Sequence, residues 1–264
     1  MKRLYSLLVF TLLFAQVDAL HHFAVITPEK TGTHLLTKQL TLLTGMDVKN
    51  SWQHTASADS INKQLNFCEA NHKFFHMHAF YDLSLKRCFH KRNYRVIYLI
   101  RDPRDQLISL LQYIRDKGWA YGPLRMDMPF GKLSYDQQIE EMITGSRYGV
   151  CVPKTFFDKR KGWIAWNWAL TVKYEDLVGP KGGGSKKRQM AELRRIVDHI
   201  QLPKSDQELS YVADNSYGKP GDKTFNKGKI GQWKSKFKEY HKSLFKTVYG
   251  NELIEMGYEQ NHNW

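Results

Sequence analysis

Cysteine is scarce: Cys68, Cys88 and Cys151 are the only three in 264 residues, and no two form a C-x-x-C pair. This excludes a disulfide-built scaffold and a thiolate zinc site of the usual spacing. The odd number leaves at least one thiol unpaired, while a single bridge, Cys68 to Cys88, is compatible with the count. Acidic side chains are also in deficit. Asp and Glu total 26 against 40 Lys and Arg, a formal net charge of +14, which points to an anionic partner: nucleic acid, a phosphorylated or sulfated small molecule, an acidic glycan or a membrane surface. There is no internal repeat and, past the first twenty residues, no long apolar run, which excludes a polytopic membrane protein. Hydrophobic residues at 42% and charged residues at 25% exclude global disorder and a collagen-like fibre. The length suits one substantial domain.

The N-terminus has its own pattern. Lys2 and Arg3 precede an apolar run from Leu4 to Ala15, and Val17-Asp18-Ala19 places short side chains before a cleavage point after Ala19. A positive start, an apolar stretch of about 7–15 residues and a small-residue exit make a secretory signal peptide. The expectation is therefore a signal over residues 1–19, a domain over 20–264, and a secreted or secretory-pathway protein with no membrane span after cleavage. An uncleaved signal anchor, tethering the protein to a membrane, is the alternative.

Within the domain, His22 to Thr27 reads as a first strand and His34 to Leu43 as a helix with Leu35, Leu36, Leu40 and Leu43 on one side. Phe74 to His78 is a second short strand. Arg95-Val96-Ile97-Tyr98-Leu99-Ile100 is the strongest strand signal, and its near-continuous apolar run suits a buried parallel strand. Pro103 sits where a helix begins, with Leu107, Leu110, Leu111 and Ile114 as its stripe. Ala169 to Tyr174 is another strand, while Met190 to Ile200 and the basic Lys234 to Tyr249 read as helices. Strands alternating with helices predict a single α/β domain with a central parallel β-sheet flanked by helices.

Three segments carry anion-binding chemistry. After the first strand, Lys30-Thr31-Gly32-Thr33 combines a point charge, hydroxyls and a glycine turn with the positive end of the next helix. The Walker spacing G-x-x-x-x-G-K-[ST] is absent, which disfavours an ordinary ATPase or GTPase. Arg101 ends the central strand, where open α/β sheets place their ligands, and Ser109 lies eight residues on, in the following helix. Phe225 to Trp233, with two lysines and two glycines, reads as a flexible cationic flap.

In this order the motifs resemble the sulfotransferases that use 3′-phosphoadenosine 5′-phosphosulfate (PAPS). Lys30-Thr31-Gly32-Thr33 is similar to their K-S-G-T phosphosulfate loop, a P-loop-like turn, and His34 follows it. Arg101-Asp102-Pro103-Arg104-Asp105 with Ser109 resembles R-x-P-x-D…S, whose Arg and Ser hold the 3′-phosphate. Tyr174-Glu175-Asp176-Leu177 is similar to Y-E-D-L, whose Tyr lies near adenine, and Asn226-Lys227-Gly228 with Gly231 and Trp233 resembles the R-K-G-x-x-G-x-W closing loop. The resemblance implies PAPS as donor, PAP as product, no metal, and cofactor contacts from Lys30, Thr31, Gly32, Thr33, His34, Arg101, Ser109, Tyr174, Asn226, Lys227 and Gly228. It also implies in-line sulfuryl transfer to a hydroxyl, with Lys30 neutralising the leaving phosphate and His78, at the end of a K-T-H-like strand, as general base.

Strand alternation sends His76 and His78 to one face. His76 stands where many members carry Lys, Leu35 replaces an aromatic, and Asn226 replaces Arg. Residues 118–149, with Trp119, Tyr121, Met126, Met128, Phe130, Tyr135 and Tyr148, are either a lid over the acceptor or packing; Trp163, Trp166 and Trp168 read as core or pocket wall. Export suggests a carbohydrate or other secretory-pathway hydroxyl, or a small molecule, as acceptor. A degenerate member holding PAP or an acidic polymer without turnover is the alternative. Specific nucleic-acid binding is not expected, because the basic residues are scattered and no RNP, zinc-finger or helix-turn-helix signature is present.

Overall fold

The computed structural model describes residues 20–51, 57–158, 161–218 and 228–264. The N-terminal signal over 1–19 therefore lies outside the described residues, as do Asn226 and Lys227. Five strands, β1 (Phe23–Ile26), β2 (Asp47–Ser51), β3 (Lys73–Met77), β4 (Arg95–Ile100) and β5 (Ala169–Lys173), form one parallel sheet in the order β2-β3-β1-β4-β5. The first strand is central, with β2 and β3 laid on one side of it and β4 and β5 on the other, and the crevice beyond the carboxyl ends at such a reversal is where these sheets bind ligands.

Alternation along the strands splits the core. One face, with Val25, Ile97, Leu99 and Val172, is covered by α1 (Thr33–Thr44), α9 (Lys186–His199) and α10 (Asp206–Asn215). The other, with Ile26, Phe75, Tyr98 and Ile100, is covered by α2 (Ala58–Ala70), α3 (Leu83–Lys91) and the short α7 (Lys161–Ile164). Apolar residues of α4 (Pro103–Lys117), α5 (Tyr135–Thr144), α6 (Val152–Asp158) and α11 (Glu239–Glu255) make a third cluster; α8 (Tyr174–Leu177) follows β5 directly.

The expected strands and helices are present, with shifted ends. Asp102 caps α4, its carboxylate accepting the Arg104 N–H at 2.9 Å, with Pro103 in the first turn. The basic segment expected as one helix over 234–249 is instead a 3₁₀ turn, Gln232–Ser235, followed by α11 from Glu239. The segment 118–149 is packing: Leu124, Phe130, Ile139, Met142 and Ile143 are fully buried in the third cluster. Trp163 and Trp166 are core. Cys68 and Cys88 are both free thiols, so the bridge between them is not made. They sit on separate helices, α2 and α3, and both thiols pack into the apolar layer under the sheet. No described helix is long and apolar enough to cross a membrane.

Candidate active site

The turn from β1 into α1 is built around two left-handed residues, Lys30 (φ 62°) and Gly32 (φ 106°). A Cβ on Gly32 would lie 2.3 Å from Cδ2 of Tyr174. The position thus excludes a side chain twice, by backbone conformation and by the tyrosine ring against it. Helix α1 starts with no side-chain cap, so its first N–H groups are available to an anion. The hydroxyl of Thr31, expected as a donor to that anion, instead donates to Pro28 O at 2.8 Å. A Thr side chain in a tight turn finds a local carbonyl more readily than an external ligand, which leaves the backbone and Lys30 for the anion. His34 is exposed in the first turn of α1.

Lys30 places Nζ 3.7 Å above the centre of the Tyr113 ring on α4. Burial, reinforced by the Arg101 charge, lowers its ammonium from 10.5 to about 8.

The two histidines meet at Thr27, the residue just past the end of β1. Val25 is in register with His76, and the Thr27 N–H donates to Met77 O at 3.2 Å, which brings the ends of β1 and β3 level. Nδ1 of His78 lies 2.8 Å from the Thr27 carbonyl and 3.0 Å from its Oγ1. A carbonyl only accepts, so Nδ1 carries the proton and Nε2 is left as the basic nitrogen. Nδ1 of His76 faces Asn50 Oδ1 at 3.0 Å, and its Nε2 lies 2.9 Å from Thr27 Oγ1. The consistent pattern is His76 N–H to Asn50, Thr27 O–H to His76, and Thr33 O–H to Thr27 across 2.8 Å. Complete burial, then the neighbouring His78 and His34, hold His76 well below its ordinary value, as a neutral ring. The His76 and His78 rings stand edge to face at 5.0 Å, on one side of the sheet as alternation requires.

Arg101 closes the other side. It donates to Lys30 O at 3.2 Å and Lys229 O at 3.0 Å, lies 4.5 Å from the Tyr174 ring centre, and is 3.8 Å from Asp105. Its Nε is buried with no partner among the described residues, a donor left for an anion. Ser109 is half-buried on α4.

The expected flap is held rather than loose over its described part. Asp105 accepts from Gly231 N–H at 2.6 Å and Trp233 N–H at 3.0 Å, and burial raises its carboxyl against the pull of Arg101. Gly228 O accepts from Tyr174 and Tyr217 hydroxyls at 2.8 and 3.2 Å. Behind it, the Arg104 guanidinium lies 4.0 Å from Trp233 and 4.4 Å from Trp264 ring centres and pairs with Glu259 at 2.6 Å. Glu175 accepts from the Asp102 N–H at 2.9 Å and the Tyr258 hydroxyl at 3.3 Å.

Sequence reasoning missed Thr27, Asn50 and Tyr113. Thr27 carried one usable signal, its place on the Val25 face just before the loop; the other two depend on pairings between distant segments.

A strand-turn-helix loop, a histidine of fixed tautomer and a buried arginine thus meet at one end of the sheet. The chain belongs to the sulfotransferase domain family, whose model matches residues 20–257. A zebrafish (Danio rerio) relative, Sulfotransferase 6B1, is 23% identical over 187 residues, covering 64% of this chain and 55% of that protein. The match thus spans just over half the relative's length. Among solved structures, mouse sulfotransferase SULT7A1 complexed with PAP is similar, with a TM-score of 0.61 and 16% identity over 88% of this chain and 84% of that one. A retinol dehydratase complex with androsterone and inactive cofactor PAP gives 0.55 and 16% over 88% and 80%.

Proposed function

We propose that this protein is a PAPS-dependent sulfotransferase that moves a sulfuryl group to a hydroxyl acceptor by in-line transfer, with His78 as general base. The observation that carries this reading is the Thr27 junction, which joins the tautomer-fixed His78 to Thr33 at the start of the helix behind the Lys30–Gly32 turn. PAPS, when bound, supplies an activated sulfuryl group whose transfer leaves PAP. The residues fit it: the uncapped α1 terminus and Lys30 suit the 5′-phosphosulfate, the unpartnered Nε of Arg101 with Ser109 suits the 3′-phosphate, and Tyr174 against Gly32 suits the adenine side. Asn226, Lys227 and Gly228 complete the set as the closing loop.

His78 Nε2 takes the acceptor's proton as its oxygen attacks, a step that typically contributes about 10²–10⁴-fold. Thr27 keeps that ring from turning. Lys30 and the helix N–H groups meet the charge that grows on the departing phosphate, a preorganised arrangement that needs little rearrangement at the moment of transfer. His76, neutral and bonded on both nitrogens, contributes orientation rather than charge.

The acceptor is a hydroxyl of a carbohydrate or small molecule. With the N-terminal signal, the proposed site of action is a secretory lumen supplied with PAPS. The test is transfer of labelled sulfuryl from PAPS to a panel of hydroxyl compounds, run beside His78→Ala. Turnover that vanishes in the variant supports the reading. The neutral His76 at a lysine position favours one competitor, a protein that holds PAP without turnover; tight PAP binding with no transfer to any acceptor would support it.

A further inference from the structure

We propose that Glu259 and Trp264, in the segment that follows α11, are positioning residues for 3′-phosphate recognition. They act through Arg104, and the inference rests on the PAPS reading of the site. Residues 258–264 lie back along α11 instead of running away from it. A Cβ at Gly250 would lie 2.6 Å from Nδ1 of His262, so only glycine lets the segment come so close. Nε2 of His262 faces Asn251 Oδ1 at 3.1 Å, and Lys246 donates to Trp264 O at 2.8 Å while lying 5.0 Å from its ring centre. These contacts bring the Trp264 ring edge to face with Trp233 at 5.7 Å, with the Arg104 guanidinium against both.

Arg104 is buried, and a buried charge is tolerated only when it is paired and hydrogen-bonded. Nε and Nη2 donate to the Asp102 carboxylate at 2.9 and 2.8 Å, and Nη1 pairs with Glu259 at 2.6 Å. Asp102 directly follows Arg101, whose unpartnered Nε is the donor suited to a 3′-phosphate. Asp105, the residue after Arg104, accepts the Gly231 and Trp233 N–H groups and so holds the described end of the closing loop. Tyr258 adds a third tie, donating to the Glu175 carboxylate that accepts the Asp102 N–H. The segment thus grips the peptide just past Arg101 on one side and the Trp233 ring of the closing loop on the other. Both belong to the 3′-phosphate half of the site. Without the Trp264 ring, Arg104 gains room and water, and its hold on Asp102 and Trp233 weakens together.

The test is calorimetric binding of PAP and of 5′-AMP, which lacks the 3′-phosphate, to the full chain and three variants. Wild type should bind PAP more tightly than 5′-AMP. Trp264→Ala should weaken PAP about 5- to 30-fold, the size of one desolvated cation–π contact, and leave 5′-AMP nearly unchanged. Trp264→Phe, which keeps a ring against Arg104, should recover most of that loss. Glu259→Gln should weaken PAP about 2- to 30-fold, again with 5′-AMP nearly unchanged; it preserves the side-chain shape and decides the matter if Trp264→Ala does not fold. The proposal is overturned if folded Trp264→Ala or Glu259→Gln keeps the wild-type preference for PAP, if either loses both ligands equally, or if Trp264→Phe is as impaired as Trp264→Ala. A wild type that binds PAP no better than 5′-AMP refutes the PAPS reading itself, and the positioning role with it.

Discussion

Replacing Lys30 by Met should make the protein more stable and much less active at once. Burial and Arg101 lower the ammonium from 10.5 to about 8, so at neutral pH the folded state carries a charge it holds less well than the unfolded chain does. At about 1.36 kcal/mol per tenfold change, that difference is on the order of 3 kcal/mol. Against it stands the ammonium over Tyr113 at 3.7 Å, worth about 1–2 kcal/mol in a partly desolvated site. The net expectation is a gain of about 1–2 kcal/mol for Lys30→Met at pH 7, measured by urea unfolding without cofactor. The sign with pH is fixed. From about pH 8 up to 10.5 the unfolded chain binds the extra proton, wild-type stability rises, and the gap to Lys30→Met closes. Transfer should fall by about 10²–10³-fold, as when one preorganised charge-stabilising group is removed. A variant that is less stable than wild type at pH 7, or as active, refutes the assignment of Lys30 as a strained cation kept for the leaving phosphate.

His78→Ala should lower kcat by about 10²–10⁴-fold and leave PAP affinity nearly unchanged; an equal loss of both, by calorimetry and steady-state kinetics, would make it a binding residue. Gly32→Ala, which drives a Cβ into Tyr174, should cost about 1–3 kcal/mol in unfolding experiments and weaken PAP sharply, whereas wild-type behaviour would contradict the turn. Burial raises the Glu175 carboxyl from 4.5 to about 7, so the folded state keeps a proton that the unfolded chain has lost between those values, and stability falls as pH rises through that window. Glu175→Gln should match wild type near pH 4 and exceed it by on the order of 3 kcal/mol above pH 7; a constant offset across pH would be the wrong result.

The central sheet was readable because β4 is an uninterrupted apolar run and Pro103 marks the helix after it. Strand β2 was not: Asp47-Val48-Lys49-Asn50-Ser51 is polar, as an edge strand can be. The same loss hid Asn50, which the sequence gives no reason to place beside His76. Lys30, Gly32 and Arg101 were legible as anion chemistry from residue type and position at strand ends. The commitment of the Thr31 hydroxyl to Pro28, and the junction at Thr27, were not, since both depend on turn geometry and on the register between strands some fifty residues apart. The described part of the closing segment, from Gly228 on, reads as loose in the sequence because its anchors, Asp105 and Tyr174, lie far back in the chain.

The most direct test of the cofactor site is calorimetric binding of PAP to the chain from Leu20 to Trp264 at physiological salt, with ATP as the comparison ligand. PAP binding with ATP much weaker is the predicted result, because Arg101 and Ser109 are proposed to hold a 3′-phosphate that ATP does not carry. A folded sample that binds neither, or prefers ATP, contradicts the account.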